Sequence, residues 1–187
     1  MKPQRLAILL ALVGCARAPT GSAAPSATPA LDPENAALAN RTGLWDVTET
    51  VWATPTSPPV TTTAHIAERR MIGAMLEEVL HPLADANGIE RIDYLRFNHT
   101  EGRWDYVSMD TRAPVGIMPA WSFVRGDGLQ IELAFSPFAL PTGVMLRMTE
   151  LVTVTDADHD SKDQRFILAD GSGTAWLAHR YVYTRRR

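Results

Sequence analysis

From residue 41 to the end, the chain is a succession of short β-type runs separated by turn residues. About nine or ten such runs fall between residues 44 and 184, and no long amphipathic helix interrupts them. Runs such as 44–52, 89–98 and 144–155 are rich in β-branched and aromatic residues, and Gly, Pro, Asp and Asn stand between them. This pattern predicts an all-β antiparallel sandwich or closed barrel.

Composition sets the size of the domain and excludes one class of partner. The chain has 187 residues, 45% of them hydrophobic, which suffices for one domain with its own core. Its formal net charge is −3, whereas a nucleic-acid-binding protein usually carries a basic stripe. We therefore expect no nucleic-acid partner.

The first fifteen residues have the pattern of an export signal. Lys2 and Arg5 precede an apolar run over 6–13, which is shorter than the roughly 20 residues that span a bilayer. The next residues, Leu-Val-Gly-Cys at 12–15, resemble the lipobox of bacterial lipoproteins. That resemblance implies cleavage before Cys15, lipid attachment to it and anchoring in the membrane. Ala16 in place of aspartate then favours the outer membrane, with the protein facing the periplasm.

Three segments follow from this interpretation. Residues 1–14 are a lipoprotein signal peptide, 15–31 are a flexible tether rich in Ala, Pro and Ser, and 32–187 are the β-barrel domain. Asp32, Pro33 and Glu34 predict a short N-terminal helix over 34–39. The single cysteine, Cys15, leaves the domain without a structural disulfide.

Several motifs resemble those of lipocalin-like (calycin) barrels. Gly43-Leu44-Trp45 opens the first run, and Tyr183-Thr184-Arg185 closes the last. The motifs at 71–78, 92–94 and 104–107 resemble a bacterial lipocalin-like domain family without an assigned function. The resemblance implies a barrel of about 8–10 strands with Trp45 at its floor. An arginine of the last strand, Arg185 or alternatively Arg180, would lie across the indole.

A barrel of this size can enclose one small ligand, and we predict a small apolar one. His179, Tyr181 and Tyr183 share one face of the last run, and Met75 and Trp121 are further candidate ligand-binding residues. Six methionines offer adaptable lining: Met71, Met75, Met109, Met118, Met145 and Met148. Residues 118–121 could form a lid or a strand connection.

No motif for catalysis or for a bound cofactor is present. The chain contains no nucleophile elbow, phosphate-binding loop or His-Glu-x-x-His motif. Some lipocalin-like barrels bind haem through a histidine of a late strand, which makes His179 a haem candidate; the alternative is a structural barrel histidine. We predict no catalytic residues, no metal and no cofactor.

An acidic stretch at 156–163 alternates carboxylates as a calcium loop does. It has Ser161 where such a loop needs glycine and Ile167 where it needs a bidentate glutamate. The sequence therefore predicts a solvated acidic hairpin. Glu77 and Glu78 are adjacent, so they should face opposite sides of one strand.

Three functions remain open at this stage. The first is a lipid-anchored periplasmic barrel that binds a small apolar molecule. The second is a non-enzymatic docking protein of the cell envelope with a filled barrel. The third is an enzyme built from scattered barrel residues, which ranks last because no nucleophile or base is evident.

Overall fold

The computed structural model describes residues 31–187, which form one compact unit. The predicted signal peptide and nearly all of the tether lie outside these residues. Among the described residues, no helix is long and apolar enough to cross a membrane. The elements are α1 (Pro33–Ala39), β1 (Gly43–Val51), β2 (Val60–Ile72), β3 (Met75–Pro82), β4 (Arg91–Asn98), β5 (Arg103–Asp110), β6 (Ile117–Trp121), β7 (Gln130–Phe135), β8 (Phe138–Ala139), β9 (Met145–Val154), β10 (His159–Leu168) and β11 (Ala175–Arg185).

Ten of the eleven strands close into a barrel. Neighbours pair antiparallel in the order β10-β11-β1-β2-β3-β4-β5-β6-β7-β9, and β10 also pairs with β9, which closes the ring. The two-residue strand β8 only adds to the edge of β9. The predicted all-β antiparallel barrel is therefore confirmed, with the strand number at the upper end of the expected range.

Helix α1 covers one end of the barrel, called here the closed end. Asp32 caps the helix by accepting a hydrogen bond from the backbone N–H of Asn35, and Pro33 occupies its first turn. The Asn35 side chain bonds in turn to the backbone N–H and C=O of Phe97 near the end of β4. Leu38 then enters the barrel core, so the helix packs as a plug. The opposite end, formed by the loops at 52–59, 82–90, 111–116, 136–144 and 169–174, is called the mouth.

Two apolar clusters form the core of the barrel. The larger one brings together residues of α1 and β3–β9, including Leu38, Phe97, Trp104, Leu133 and Met148. The smaller one surrounds Trp45 at the start of β1. All strand pairings and both clusters lie within 31–187, so this segment contains the complete barrel.

Two predicted segments differ in the structure. The predicted hairpin is present between β9 and β10, but the prediction that all of 156–163 is solvated is wrong, because β10 begins at His159 and its alternation buries Asp160 and Lys162 inside the barrel. The solvated residues of the stretch are Asp156, Ala157 and His159. Residues 118–121 lie within strand β6 rather than forming a lid.

Candidate functional site

A cavity of about 350 Å³ occupies the mouth half of the barrel. One part of its wall is apolar: Val51, Pro114, Met118, Phe135, Phe138, Leu140, Met148 and Phe166. The other part is polar: Glu49, Arg91, Ser108, Asp110, Arg112, Gln164, His179 and Tyr181. The cavity therefore suits a molecule with both an apolar body and a polar group.

Glu49 is the centre of the polar groups at the mouth. Its carboxylate accepts hydrogen bonds from His179 Nδ1 at 2.9 Å and from Arg112 Nη1 at 3.1 Å. Arg112 also pairs with Asp110, at 2.9 Å. Burial acts to raise the pKa of Glu49, but the hydrogen bond from His179 and the charge of Arg112 outweigh it and hold the pKa at about 2. Glu49 is therefore ionised at neutral pH and fixes the orientation of His179.

Below the cavity lies a buried network of charges, the inner network, centred on Glu78. This carboxylate accepts hydrogen bonds from Arg69 Nε at 2.6 Å, Arg91 Nη2 at 3.0 Å, Lys162 Nζ at 2.8 Å and the Tyr183 hydroxyl at 2.9 Å. Burial opposes ionisation, yet the surrounding positive charges hold the pKa of Glu78 well below its usual range.

Two further acids complete the inner network. Asp160 pairs with Arg69 at 2.6 Å and with Arg41 at 3.1 Å, and Asp93 pairs with Lys162 at 2.8 Å. Each buried cation thus has a carboxylate partner, as charges removed from water require. This network joins β2, β3, β4, β10 and β11 across the barrel interior.

Arg91 of the inner network has N–H groups beside the cavity that are without an acceptor among the described residues. Arg91 is buried and lines the cavity, and within the described chain its Nη1 has no hydrogen-bond acceptor. Its Nε lies 3.1 Å from Asp93 without a hydrogen bond of good geometry. Buried donors are normally paired, so an arginine with spare donors at a cavity wall is a candidate contact for a ligand acceptor.

Glu150 differs from the other buried acids because it has no cationic partner within hydrogen-bond distance. Gln164 Nε2 donates to one of its oxygens at 2.7 Å, and the other oxygen has no partner among the described residues. Burial raises the pKa of Glu150 despite the positive charge of Lys162 nearby. The barrel therefore favours the protonated form of this acid.

The raised pKa predicts a pH-dependent stability. Folding raises the pKa of Glu150, so this residue contributes most to the free energy of unfolding at low pH, where it is protonated. That contribution is lost as the pH rises from the pKa in the unfolded chain, about 4.5, through the higher pKa in the folded protein. Glu150→Gln has no such proton. We expect the stability of the variant relative to the wild type to increase as pH rises above 4.5. Urea unfolding at several pH values measures this difference, and a constant difference would contradict the assignment.

The structure separates the five candidate ligand-binding residues. His179 and Tyr181 line the cavity. Tyr183, one inward position further along β11, belongs to the inner network. Met75 begins β3 near the closed end, and Trp121 ends β6 with Arg103 over its ring at 5.3 Å; neither lines the cavity. Of the six methionines, Met118 and Met148 line it.

Trp45 is buried at the start of β1, where Gly43 and Arg185 lie beside it. The Arg185 guanidinium lies 4.3 Å from the centre of the Trp45 indole, while Arg180 pairs with Asp163 instead. Gly43 has φ +122°, and a Cβ there would lie 3.1 Å from Arg185 Nη1, so glycine leaves room for the arginine. The Arg69 guanidinium also lies 4.6 Å from the Trp45 ring.

Sequence reasoning missed the inner network, although one signal was available. Alternation along β4 places Arg91 and Asp93 on the same face as Leu95 and Phe97, and all four are buried. Two charged residues in phase with two apolar ones indicate charges inside the barrel. Their partner Lys162 was hidden in the stretch interpreted as a solvated hairpin.

Comparisons with known proteins support the fold and go no further. No protein family matches the chain, and no curated protein does. Eleven chains of known structure match. One is Rv2717c from M. tuberculosis, with a TM-score of 0.51 and 23% sequence identity over 84% of this chain and 100% of that one. At that identity the likeness shows the fold alone, and the resemblance to a bacterial family without an assigned function stays a prediction.

Proposed function

We propose that this protein binds a small, largely apolar molecule carrying one polar group in the cavity at the barrel mouth. The observation that carries the proposal is the cavity itself, because its wall divides into an apolar and a polar part. A barrel whose only role was structural would have this space filled by side chains. The cavity thus favours ligand binding over the filled-barrel alternative.

The two parts of the wall suggest how the ligand lies. Phe135, Phe138 and Phe166 would contact its apolar body, and the spare donors of Arg91 would receive an acceptor such as a carbonyl or carboxylate oxygen. The volume of about 350 Å³ is at the lower end of the range of small-molecule pockets. The ligand is therefore small, or part of it protrudes from the mouth.

Filling the cavity should weaken binding strongly. Met118→Trp places a larger side chain on the cavity wall, and Ile117→Trp places the same side chain on the exposed neighbour in β6. We expect Met118→Trp to weaken binding of 11-(dansylamino)undecanoic acid at least tenfold and Ile117→Trp to leave it unchanged. Fluorescence titration measures both, and circular dichroism checks that both variants fold. Equal affinities in all three proteins would place the probe outside the cavity.

Haem is a second candidate ligand, supported by the contact between His179 and Glu49. A histidine that ligates a metal commonly pairs its other ring nitrogen with a carboxylate, and His179 Nδ1 is held at 2.9 Å from Glu49 Oε1. His179 also lines the cavity, so its Nε2 would be the nitrogen left to hold the iron. When bound, haem would supply the iron; the apolar wall would contact the porphyrin. A Soret band after haem addition that His179→Ala removes would support this candidate, and no band in the wild type would exclude it.

We further propose that the barrel is lipid-anchored in the bacterial envelope through Cys15 and faces the periplasm. The support is the lipobox-like sequence at 12–15 behind a short apolar run. Several acyl chains, at about 0.8 kcal/mol per buried methylene, make a lasting anchor. In its native host, Cys15→Ser should leave the protein unprocessed and no longer lipid-modified. Membrane fractionation and the intact mass measure this, and a variant that still carries lipid would overturn the anchor.

A further inference from the structure

The loop between β6 and β7, residues 122–129, presents apolar side chains to solvent. Phe123 is 79% exposed, Val124 64% and Leu129 56%. Three exposed apolar residues within seven positions are more than the scattered single ones found on most surfaces. These three side chains are called here the apolar loop surface.

The loop is held in place by the barrel. The Trp104 indole N–H donates to the backbone C=O of Arg125 at 2.7 Å, and the Asp127 side chain accepts from the backbone N–H of Leu129 at 2.8 Å. Gly126 has φ +64°, and a Cβ there would come within 2.7 Å of the Gln130 carbonyl oxygen. The backbone is therefore built to keep this turn, and the exposure of Phe123 is a property of an ordered loop.

The apolar loop surface lies at the end where the chain enters the barrel. Arg125 of the loop pairs with Glu34 in the first turn of α1, and its guanidinium lies 4.9 Å from the Phe97 ring. The described chain begins at Leu31, just before that helix, and Cys15 precedes it by sixteen residues. The mouth and its cavity are at the opposite end of the barrel. An anchor at Cys15 would thus bring the closed end to the bilayer first.

The chemistry of this end suits a lipid surface. Arg125 is largely exposed beside the apolar residues, and Trp121 ends β6 under Arg103 just before the loop. Aromatic and aliphatic side chains flanked by arginines are typical of segments that lie at the boundary between lipid headgroups and acyl chains. There the apolar side chains enter the acyl-chain region, and the guanidinium groups contact the headgroup phosphates.

We propose that the apolar loop surface rests in the bilayer interface, so that the closed end faces the membrane and the mouth points away from it. The choice of a bilayer as partner rests on the proposed anchor, while the contact itself can be measured without it. The cavity would then exchange its ligand with the aqueous compartment and not directly with the lipid beneath.

The test uses a fluorescent reporter at either end of the barrel. The segment 31–187 contains the complete barrel and no cysteine. A histidine tag before residue 31 attaches it to vesicles of phosphatidylethanolamine, phosphatidylglycerol and a nickel-chelating lipid. Phe123→Cys and, as matched control, Ile117→Cys each take one environment-sensitive NBD label. Ile117 is 64% exposed and lies at the mouth end of β6.

We expect a blue shift and quenching by spin-labelled lipid for the label at 123 and neither for the label at 117. A response at 117 alone would mean that the mouth faces the bilayer and would overturn the proposal. Equal responses, or none at either position, would overturn it too. Because the tag replaces the lipid anchor and no cavity ligand is present, this result is independent of Cys15 lipidation and of ligand binding. Phe123→Ser combined with Val124→Ser should in addition lower vesicle association of the untagged segment several-fold.

Discussion

Glu78→Gln is expected to lower the free energy of unfolding by about 3–5 kcal/mol. The wild-type carboxylate receives four donors from three buried cations and the Tyr183 hydroxyl. An amide offers one acceptor oxygen and turns its own N–H groups toward those donors. It also removes the carboxylate that accepts the hydrogen bond from Arg91 Nη2. Asp93 and Asp160 remain as partners of the three cations, but the variant leaves the buried positive charge with one carboxylate fewer, which is a costly change in a barrel interior.

The neighbouring residue supplies the control. Glu77 also sits on β3, but its carboxylate faces the other side and pairs with the exposed Arg70 and the Tyr94 hydroxyl. Glu77 is itself shielded from solvent, but its charged partner Arg70 is exposed, and a glutamine oxygen could still accept from the Tyr94 hydroxyl. Glu77→Gln should therefore cost only about 1 kcal/mol. Urea unfolding at neutral pH, followed by circular dichroism, compares the two variants. If both lose the same stability, the inner network does not hold the barrel together.

Trp45→Ala is expected to cost about 3–5 kcal/mol. The indole is buried at the barrel floor, its N–H donates to the backbone C=O of Arg41 at 3.1 Å, and two guanidinium groups lie within 4.6 Å of its ring centre. Truncation removes the apolar contacts and the hydrogen bond and leaves a cavity that the rigid β1–β11 pairing cannot close.

Trp121→Ala is the matched control for the floor. Trp121 is half-buried at the end of β6, with Arg103 over its ring as its cationic partner. Its truncation should cost about 1 kcal/mol, chiefly the loss of a cation–π contact near the surface. Thermal unfolding of both variants makes the comparison. If Trp45→Ala loses no more stability than Trp121→Ala, Trp45 does not close the barrel floor.

The sequence was a good guide where a property depends on local pattern. Alternating runs and turn residues predicted an antiparallel sandwich or barrel, and the lipocalin-like resemblance implied the barrel. Asp32 followed by Pro33 predicted the start of the helix. His179 and Tyr181 were placed on one face of the last strand by alternation alone, and both line the cavity.

The inner network could not be predicted in the same way because it depends on long-range closure. Lys162 on β10 meets Glu78 on β3 and Asp93 on β4 only because the ring of strands brings them across the interior. In the sequence Lys162 stands among acids and polar residues, which is the composition of a surface loop. The cavity has the same origin, since its volume is the space that the side chains of several strands leave unfilled.

Native mass spectrometry of the full-length protein, purified from its natural host, tests ligand binding most directly. The account predicts one discrete extra mass that denaturation releases, and the absence of that mass from Met118→Trp. An absorbance band at the Soret wavelength that accompanies the extra mass would assign it to haem held by His179. A processed polypeptide with no releasable mass, in both wild type and variant, would contradict ligand binding in the mouth cavity.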